Sequence, residues 1–299
     1  MRAKAAFAAA LFAAMAAFQP AADAACRPQS LVRDVPRPLI RRAAFMAGAG
    51  RSPVGTVWVW APFAAGAASG GGVTIEWFGH NFFRMTSKAG TRIVADPLAP
   101  GMYPTPAVNA HAVTIGREHR NHNAVEILRG DPIILRGLTE SGAEWRPVVT
   151  RVREVEVRGI PIHQISPGGG PMKGAAFTYE IGGLCVAHLG DAGGKLTTRQ
   201  LRELGVVDVL MIPIGGRFSM GPEMAQVVLR QIKPRVAIPM HYWSREDLLG
   251  VFLEGLRHRR HNGSVIRFAR ETLPQAMTVV VLRSPGGANR PVSPALPFR

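Results

Sequence analysis

From Val73 onward the apolar runs are short and rich in β-branched residues, and they end repeatedly on histidine or aspartate. Asp96 follows Ile93-Val94-Ala95, and His119 and His122 lie just beyond residues 112–115. His163 closes Ile160-Pro161-Ile162, Asp191 follows residues 185–190, and His241 ends residues 236–240. Runs of this length between turn residues are strands, so these side chains belong to strand ends and loops. Imidazoles and carboxylates drawn from several strand ends converge on one edge of a sheet, which suits Zn²⁺ or a similar divalent ion. Seven of the nine histidines lie between His80 and His241.

The pattern predicts strands over 73–78, 82–86, 91–95 and 111–115, with a short helix at 124–129. Residues 133–135, 144–149, 152–157, 160–165, 177–181 and 184–188 are expected to be extended. After Asp191 the period lengthens: a helix over 197–204, a strand over 207–212, and a helix over 222–232 opened by Pro222. A strand over 235–239 follows. Ser244-Arg245-Glu246-Asp247 has the form of a capping box and predicts a helix to about residue 258. Strands over 265–268 and 277–282 complete the series. Hairpins first, then strands alternating with helices, predict an α+β domain of two packed sheets with helices outside, spanning residues 73–283.

The rest of the chain concerns targeting and charge. Met1-Arg2-Ala3-Lys4, an apolar stretch over 5–18 and Ala22-Asp23-Ala24 have the order of a secretory signal peptide over 1–24. The apolar stretch is shorter than the ~20 residues of a spanning helix. Residues 25–72 are expected to form a leader with one added strand, and 284–299 an irregular Pro/Gly-rich tail. The 299 residues carry 36 Lys+Arg, 31 of them Arg, against 20 Asp+Glu, a net charge of +16. Residues 1–24 hold Arg2, Lys4 and Asp23, so their removal leaves +15. Such a charge by itself suggests nucleic acid, but a periplasmic or secreted protein rarely meets it, which leaves anionic small molecules and an anionic envelope surface as partners. Of the two cysteines, Cys185 sits in an apolar run and is expected to be buried and free; a bridge to Cys26 is the alternative in an oxidising compartment.

Taken in order, Trp77-Phe78-Gly79-His80, Asp96-Pro97-Leu98, His119-x-x-His122, His163, His188-Leu189-Gly190-Asp191 and Ile238-Pro239-Met240-His241 resemble the metallo-β-lactamase superfamily, nearest its lactonase-like and phospholipase D-like branch. The resemblance covers roughly residues 73–283. It implies a four-layer αββα sandwich with the active site along one edge, and a one- or two-metal hydrolase acting on an ester, lactone, amide or phosphodiester. It also implies His119 and His163 at one metal site and His122 and His241 at the other. Asp191 would be shared between them, and His80 and Asp96 would stand behind the ligands.

The chain departs from the family's His-x-His-x-Asp-His motif at two positions. Arg117 stands for the first histidine and Asn121 for the aspartate, so Asp191, Asn121 and Arg117 are the residues left to take part in catalysis. A guanidinium held ~5 Å from a +2 ion would be repelled by at most about 6–7 kcal/mol at an effective dielectric of ~20. One Zn or Mn ion on the His122/His241 side is therefore expected rather than two, with an ion-free pocket as the alternative. Arg117 would instead pair with Asp191 or grip an anionic substrate. The resulting expectation is an exported hydrolase with a reduced metal site, and its rival is a non-catalytic relative that binds an anionic ligand or envelope component.

Overall fold

The computed structural model describes Cys26 and residues 71–101 and 103–285. The expected signal peptide, the added strand of the leader and nearly all of the tail lie outside the described residues. The first half of the domain is built from β1 (Val73–Trp77), β2 (Phe83–Ser87), β3 (Arg92–Ala95), β4 (Val108–Asn109), β5 (Ala112–Ile115), β6 (Leu128–Arg129) and β7 (Ile133–Arg136). Four strands follow: β8 (Val149–Val152), β9 (Val155–Ile165), β10 (Pro171–Ile181) and β11 (Leu184–His188). Helices then alternate with strands: α1 (Thr198–Leu204), β12 (Val209–Pro213), α2 (Pro222–Ile232), β13 (Val236–Met240) and α3 (Glu246–Leu253). The last strands are β14 (His258–Arg260), β15 (Val265–Phe268) and β16 (Thr278–Val281).

Two sheets result. The smaller runs β15-β1-β2-β3-β5-β7 and the larger β14-β16-β13-β12-β11-β10-β9-β8. Val73, Ile75, Trp77, Phe83 and Met85 of the smaller sheet share one core with Ile160, Ala176, Phe177, Val186 and Ile212 of the larger. The burial of β1 and β2 alternates along each strand, inward residues apolar except Ser87 and outward ones polar, as a half-covered sheet requires. Strands β11, β12 and β13 are buried along their whole length, because helices cover their second face. Helix α2 turns Ala225, Val228, Leu229 and Ile232 inward at helical spacing. On the outer face of the smaller sheet, the ribbon β4–β6 and a 3₁₀ turn at Val125–Ile127 cover Phe82, Val94, Leu98 and Val113. The mixed α/β sandwich expected for the family is present.

Several local expectations are corrected. The helix predicted over 124–129 is that 3₁₀ turn followed by β6, because Leu128 and Arg129 are taken up in pairing with β4. Residues 152–157 and 160–165 belong largely to one eleven-residue strand, β9, paired along its length with β10. Residues 144–149 contribute only the bridge Leu138–Trp145 and the start of β8. Ser244 does not cap α3: its φ is +57° and Arg245 holds the cap position without a side-chain bond. That helix ends at Leu253, short of residue 258, ahead of a left-handed Gly255. Cys185 is not free but bonded to Cys26 across 159 residues of sequence, with Cα atoms 4.8 Å apart.

The parallel parts of the sheets decide where a site forms. Strands β3 and β5 run parallel in the smaller sheet, and β11, β12 and β13 in the larger. Ligands in α/β sheets gather beyond the carboxyl ends of such strands. Asp96, the 116–122 loop, Asp191 and His241 all lie just past those ends.

Candidate metal centre

The loops that leave these strands are held in unusual backbone conformations. His80, Asp96 and His241 have φ of +51°, +43° and +58°, a region that residues with a Cβ enter rarely and at a cost of about 1–3 kcal/mol. Close packing enforces the turns. A Cβ on Gly215 would lie 1.8 Å from the His241 carbonyl oxygen, and one on Gly116 2.5 Å from that of Ala175. The indole of Trp77 donates to the His80 carbonyl at 3.0 Å and fixes the first turn.

Asp191 lies at the centre, with no solvent exposure. Its Oδ1 accepts from Asn81 Nδ2 at 2.7 Å and lies 3.2 Å from His241 Nε2. Its Oδ2 takes the Arg117 guanidinium at 2.7 Å and lies 3.1 Å from His122 Nε2. Behind His122, Asp96 Oδ2 accepts from Nδ1 at 3.0 Å, while Asp96 Oδ1 accepts from the Gly116 backbone at 2.7 Å. Asp96 therefore sets the tautomer and orientation of His122 and leaves Nε2 facing the centre. Ser219 Oγ stands 3.4 Å from His241 Nδ1 on the other side.

The ring of His80 lies 4.2 Å from that of His241 and 5.1 Å from that of His122, centroid to centroid. Nitrogens of these three buried histidines lie within 4.8 Å of one another. His80, expected behind the ligands, thus has its ring among them, and its Nδ1 is buried without a hydrogen-bond partner among the described residues. Trp243 packs against both His80 and His241.

Burial keeps His80 and His241 below the ordinary histidine value, and neighbouring positive charge adds to the effect at both. Their ring lone pairs are accordingly available at neutral pH. Burial also disfavours charge on His122, but Asp191 and Asp96 outweigh it and raise its pKa to about 9, so an ion held there would take the place of its Nε2 proton. Asp191 stays ionised: against its burial, His122 and His241 hold it well below the usual carboxylate range.

The other anticipated residues are placed differently. His119 is exposed, its ring 6.4 Å from that of His122, and its Nδ1 accepts from the Asn121 backbone at 3.3 Å. His163 is exposed on β9 with its ring 5.2 Å from Trp145. Alternation on that strand turns Ile162 and Gln164 inward and His163 out, so the pair His119/His163 is not assembled around Asp191. Gln164 instead reaches inward and donates to the Gly116 carbonyl at 3.2 Å. Lys173, in the 168–173 segment, pairs with Glu144 at 2.6 Å and lies over Trp145. His188 is a core residue: its Nε2–H donates to the Asn81 carbonyl at 2.9 Å, and its Nδ1 accepts from Gly190. Asn81 and Gln164 escaped the sequence reading because an amide in a turn or on a strand carries no metal-ligand signature.

Three imidazole nitrogens with a carboxylate oxygen form a donor set that suits a divalent metal ion, and the unpartnered His80 Nδ1 leaves a donor position for it. Arg117 pairs with Asp191 Oδ2 at 2.7 Å, and His163 is turned outward on β9.

The beta-lactamase superfamily domain model matches residues 74–241. A UPF0173 metal-dependent hydrolase of Thermococcus onnurineus is 31% identical over 193 residues, which are 57% of this chain and 84% of that one. One from Methanopyrus kandleri is 31% identical over 195 residues, 56% and 83% of the two chains. Among solved structures, a candidate Zn-dependent hydrolase of the metallo-beta-lactamase superfamily from Thermotoga maritima superposes with a TM-score of 0.54 at 29% identity, covering 70% of this chain and 98% of that one. With the matched region spanning every residue of the centre from His80 to His241, the chain belongs to the beta-lactamase superfamily.

Proposed function

We propose that the protein is an exported metal-dependent hydrolase with one metal ion, acting on an anionic ester, lactone or phosphodiester. The observation that carries this reading is the Arg117 guanidinium on Asp191 Oδ2, beside the cluster of His80, His122 and His241. His122, His241 and Asp191, with His80, would hold the ion. A divalent ion in such a set supplies Lewis-acid polarisation of the scissile group and an activated water. Asp191 keeps two roles, since one oxygen faces His241 and the other anchors Arg117. Arg117 lies 5.6 Å from the Phe218 ring centroid and Arg217 5.0 Å from the same centroid. Two cations gathered at one ring next to Asp191 favour a negatively charged substrate and stabilise charge that builds on the reacting oxygen. Asn121 supplies a neutral amide where a carboxylate would take a proton. Export rests on the N-terminal apolar stretch, and the Cys26–Cys185 bond belongs in an oxidising compartment.

The same Arg117–Asp191 pair also favours a second reading, a non-catalytic member of the fold that binds an anionic ligand or envelope component. Metal analysis of protein purified after growth with zinc and manganese separates the two. About one equivalent of metal, with chelator-sensitive hydrolysis of chromogenic ester, lactone or phosphodiester substrates, supports the hydrolase. Metal below a tenth of an equivalent, with no turnover, supports the binding protein.

A further inference from the structure

At the opposite end of the smaller sheet from the metal centre, a surface cavity of about 440 Å³ is lined by Arg92, Arg129, Arg151 and Arg153, with Asp131 as its acidic residue. Arg92 opens β3 and His111 immediately precedes β5, while Asp96 and Arg117 lie beyond the far ends of those strands. At ~3.3 Å per residue the cavity is roughly 13–20 Å from the centre along the strands. It is a separate place on the molecule.

The arginines come from four segments: the start of β3, the end of β6, β8, and the turn between β8 and β9. The nearby carboxylates offset this charge only in part. Glu154, next to Arg153, accepts from the hydroxyls of Ser87 and Thr91, and Glu156 is paired with Arg151. Among the described residues neither Arg129 nor Arg153 forms an ion pair, and Arg92 Nε is buried without a hydrogen-bond partner. His111 brings no negative charge: its Nδ1 accepts from the Arg92 backbone at 2.9 Å and its Nε2 lies 3.5 Å from the Arg92 guanidinium. Its pKa is lowered by burial and then by Arg153 and Arg92, as a local excess of positive charge requires. Arg153 holds this position with φ of +56°, in the left-handed region. Arginine there keeps a strained backbone where glycine would relax it.

We propose that this cavity is a binding site for a compact phosphorylated ligand, one whose phosphomonoester or pyrophosphate group is held by Arg92, Arg129 and Arg153. Guanidinium forks match tetrahedral oxyanions bidentately, and the volume exceeds that of a lone phosphate, leaving room for the body that carries it. The site needs neither the metal centre nor hydrolysis, so its test is independent of the proposed activity.

The test uses the whole protein and two probes at low ionic strength: inorganic pyrophosphate by titration calorimetry, and vesicles containing phosphatidic acid by co-sedimentation. The double variant Arg129→Gln/Arg153→Gly removes two of the cations, and its glycine suits the left-handed turn, so folding is expected to survive. Arg257→Gln/Arg259→Gln removes the same charge from an exposed basic stretch at β14 and serves as control. Binding of either probe, weakened about tenfold or more by the first double variant and less than about twofold by the control, supports the site. Pyrophosphate then identifies a soluble ligand, and vesicles alone a lipid headgroup. Absence of binding to both probes overturns the proposal, as does an equal loss in the two double variants.

Discussion

Arg117 and Asp96 have opposite effects on the same carboxylate-and-imidazole cluster. Arg117 places a cation on the Asp191 oxygen that His122 also faces. Removing it in Arg117→Ala takes away repulsion toward a bound ion, and zinc affinity measured by chelator competition is expected to rise at least about tenfold. Unchanged affinity would mean the guanidinium swings clear on metal binding. Asp96→Asn keeps the shape but replaces the acceptor of the His122 Nδ1 proton, and a fall of about 10- to 100-fold in zinc affinity is expected in the same assay. At this scale the sequence was informative about identity and silent about direction. The spacing of Asp96, His122, Asp191 and His241 announced strand ends. It did not say that the ring of His80 joins the cluster or that His163 faces away, because a one-residue choice of pleat on β9 moves a side chain to the other face.

The strands and turns carry their own tests. Tyr179 on β10 and Thr114 on β5 are both buried, and their hydroxyls lie 2.7 Å apart, joining the larger sheet to the smaller. Tyr179→Phe leaves Thr114 with a weak bond to the Val94 carbonyl, and a loss of about 1–3 kcal/mol is expected in urea unfolding. In the β2–β3 turn, Glu154 clamps Ser87 and Thr91. Burial pushes its pKa up, but the two hydroxyl bonds prevail and leave it lowered. A carboxylate lowered in the folded state adds stability above its unfolded value of about 4.5, and that stability is lost as pH falls through the lower folded value. The stability gap between wild type and Glu154→Gln, measured by urea midpoints, is therefore expected to be present at pH 6 and to shrink as the pH falls below about 4.5. Helices α1 and α2 were legible because their signals are local: the lengthened period after Asp191, and Pro222 in the first turn of α2. The box at Ser244 was equally local and misled, because His241, Trp243 and Ser244 all take left-handed φ to pack the centre. Tertiary demand overrode a capping preference worth about 1 kcal/mol.

Across the whole molecule, the Cys26–Cys185 bond ties the N-terminal region to the start of β11 over 159 residues. Reduction, or the variant Cys26→Ser, is expected to lower stability by about 2–5 kcal/mol, read as the shift in urea midpoint with and without reductant. The +16 charge, read alone, gave no address for its arginines. In three dimensions Arg117 sits against the central carboxylate, and Arg92, Arg129, Arg151 and Arg153 surround a cavity at the far end of the same sheet. Sequence by itself determined the sandwich of sheets, the strand ends that supply the site, and the replacement of two family residues by Arg117 and Asn121. These follow from periodicity and from residue identity in order along the chain. Only the tertiary structure decided which histidines share a centre, where Arg117 rests, and that the two cysteines meet. Those outcomes depend on which face of a strand turns inward and on contacts between residues far apart in sequence, and neither is encoded in local pattern.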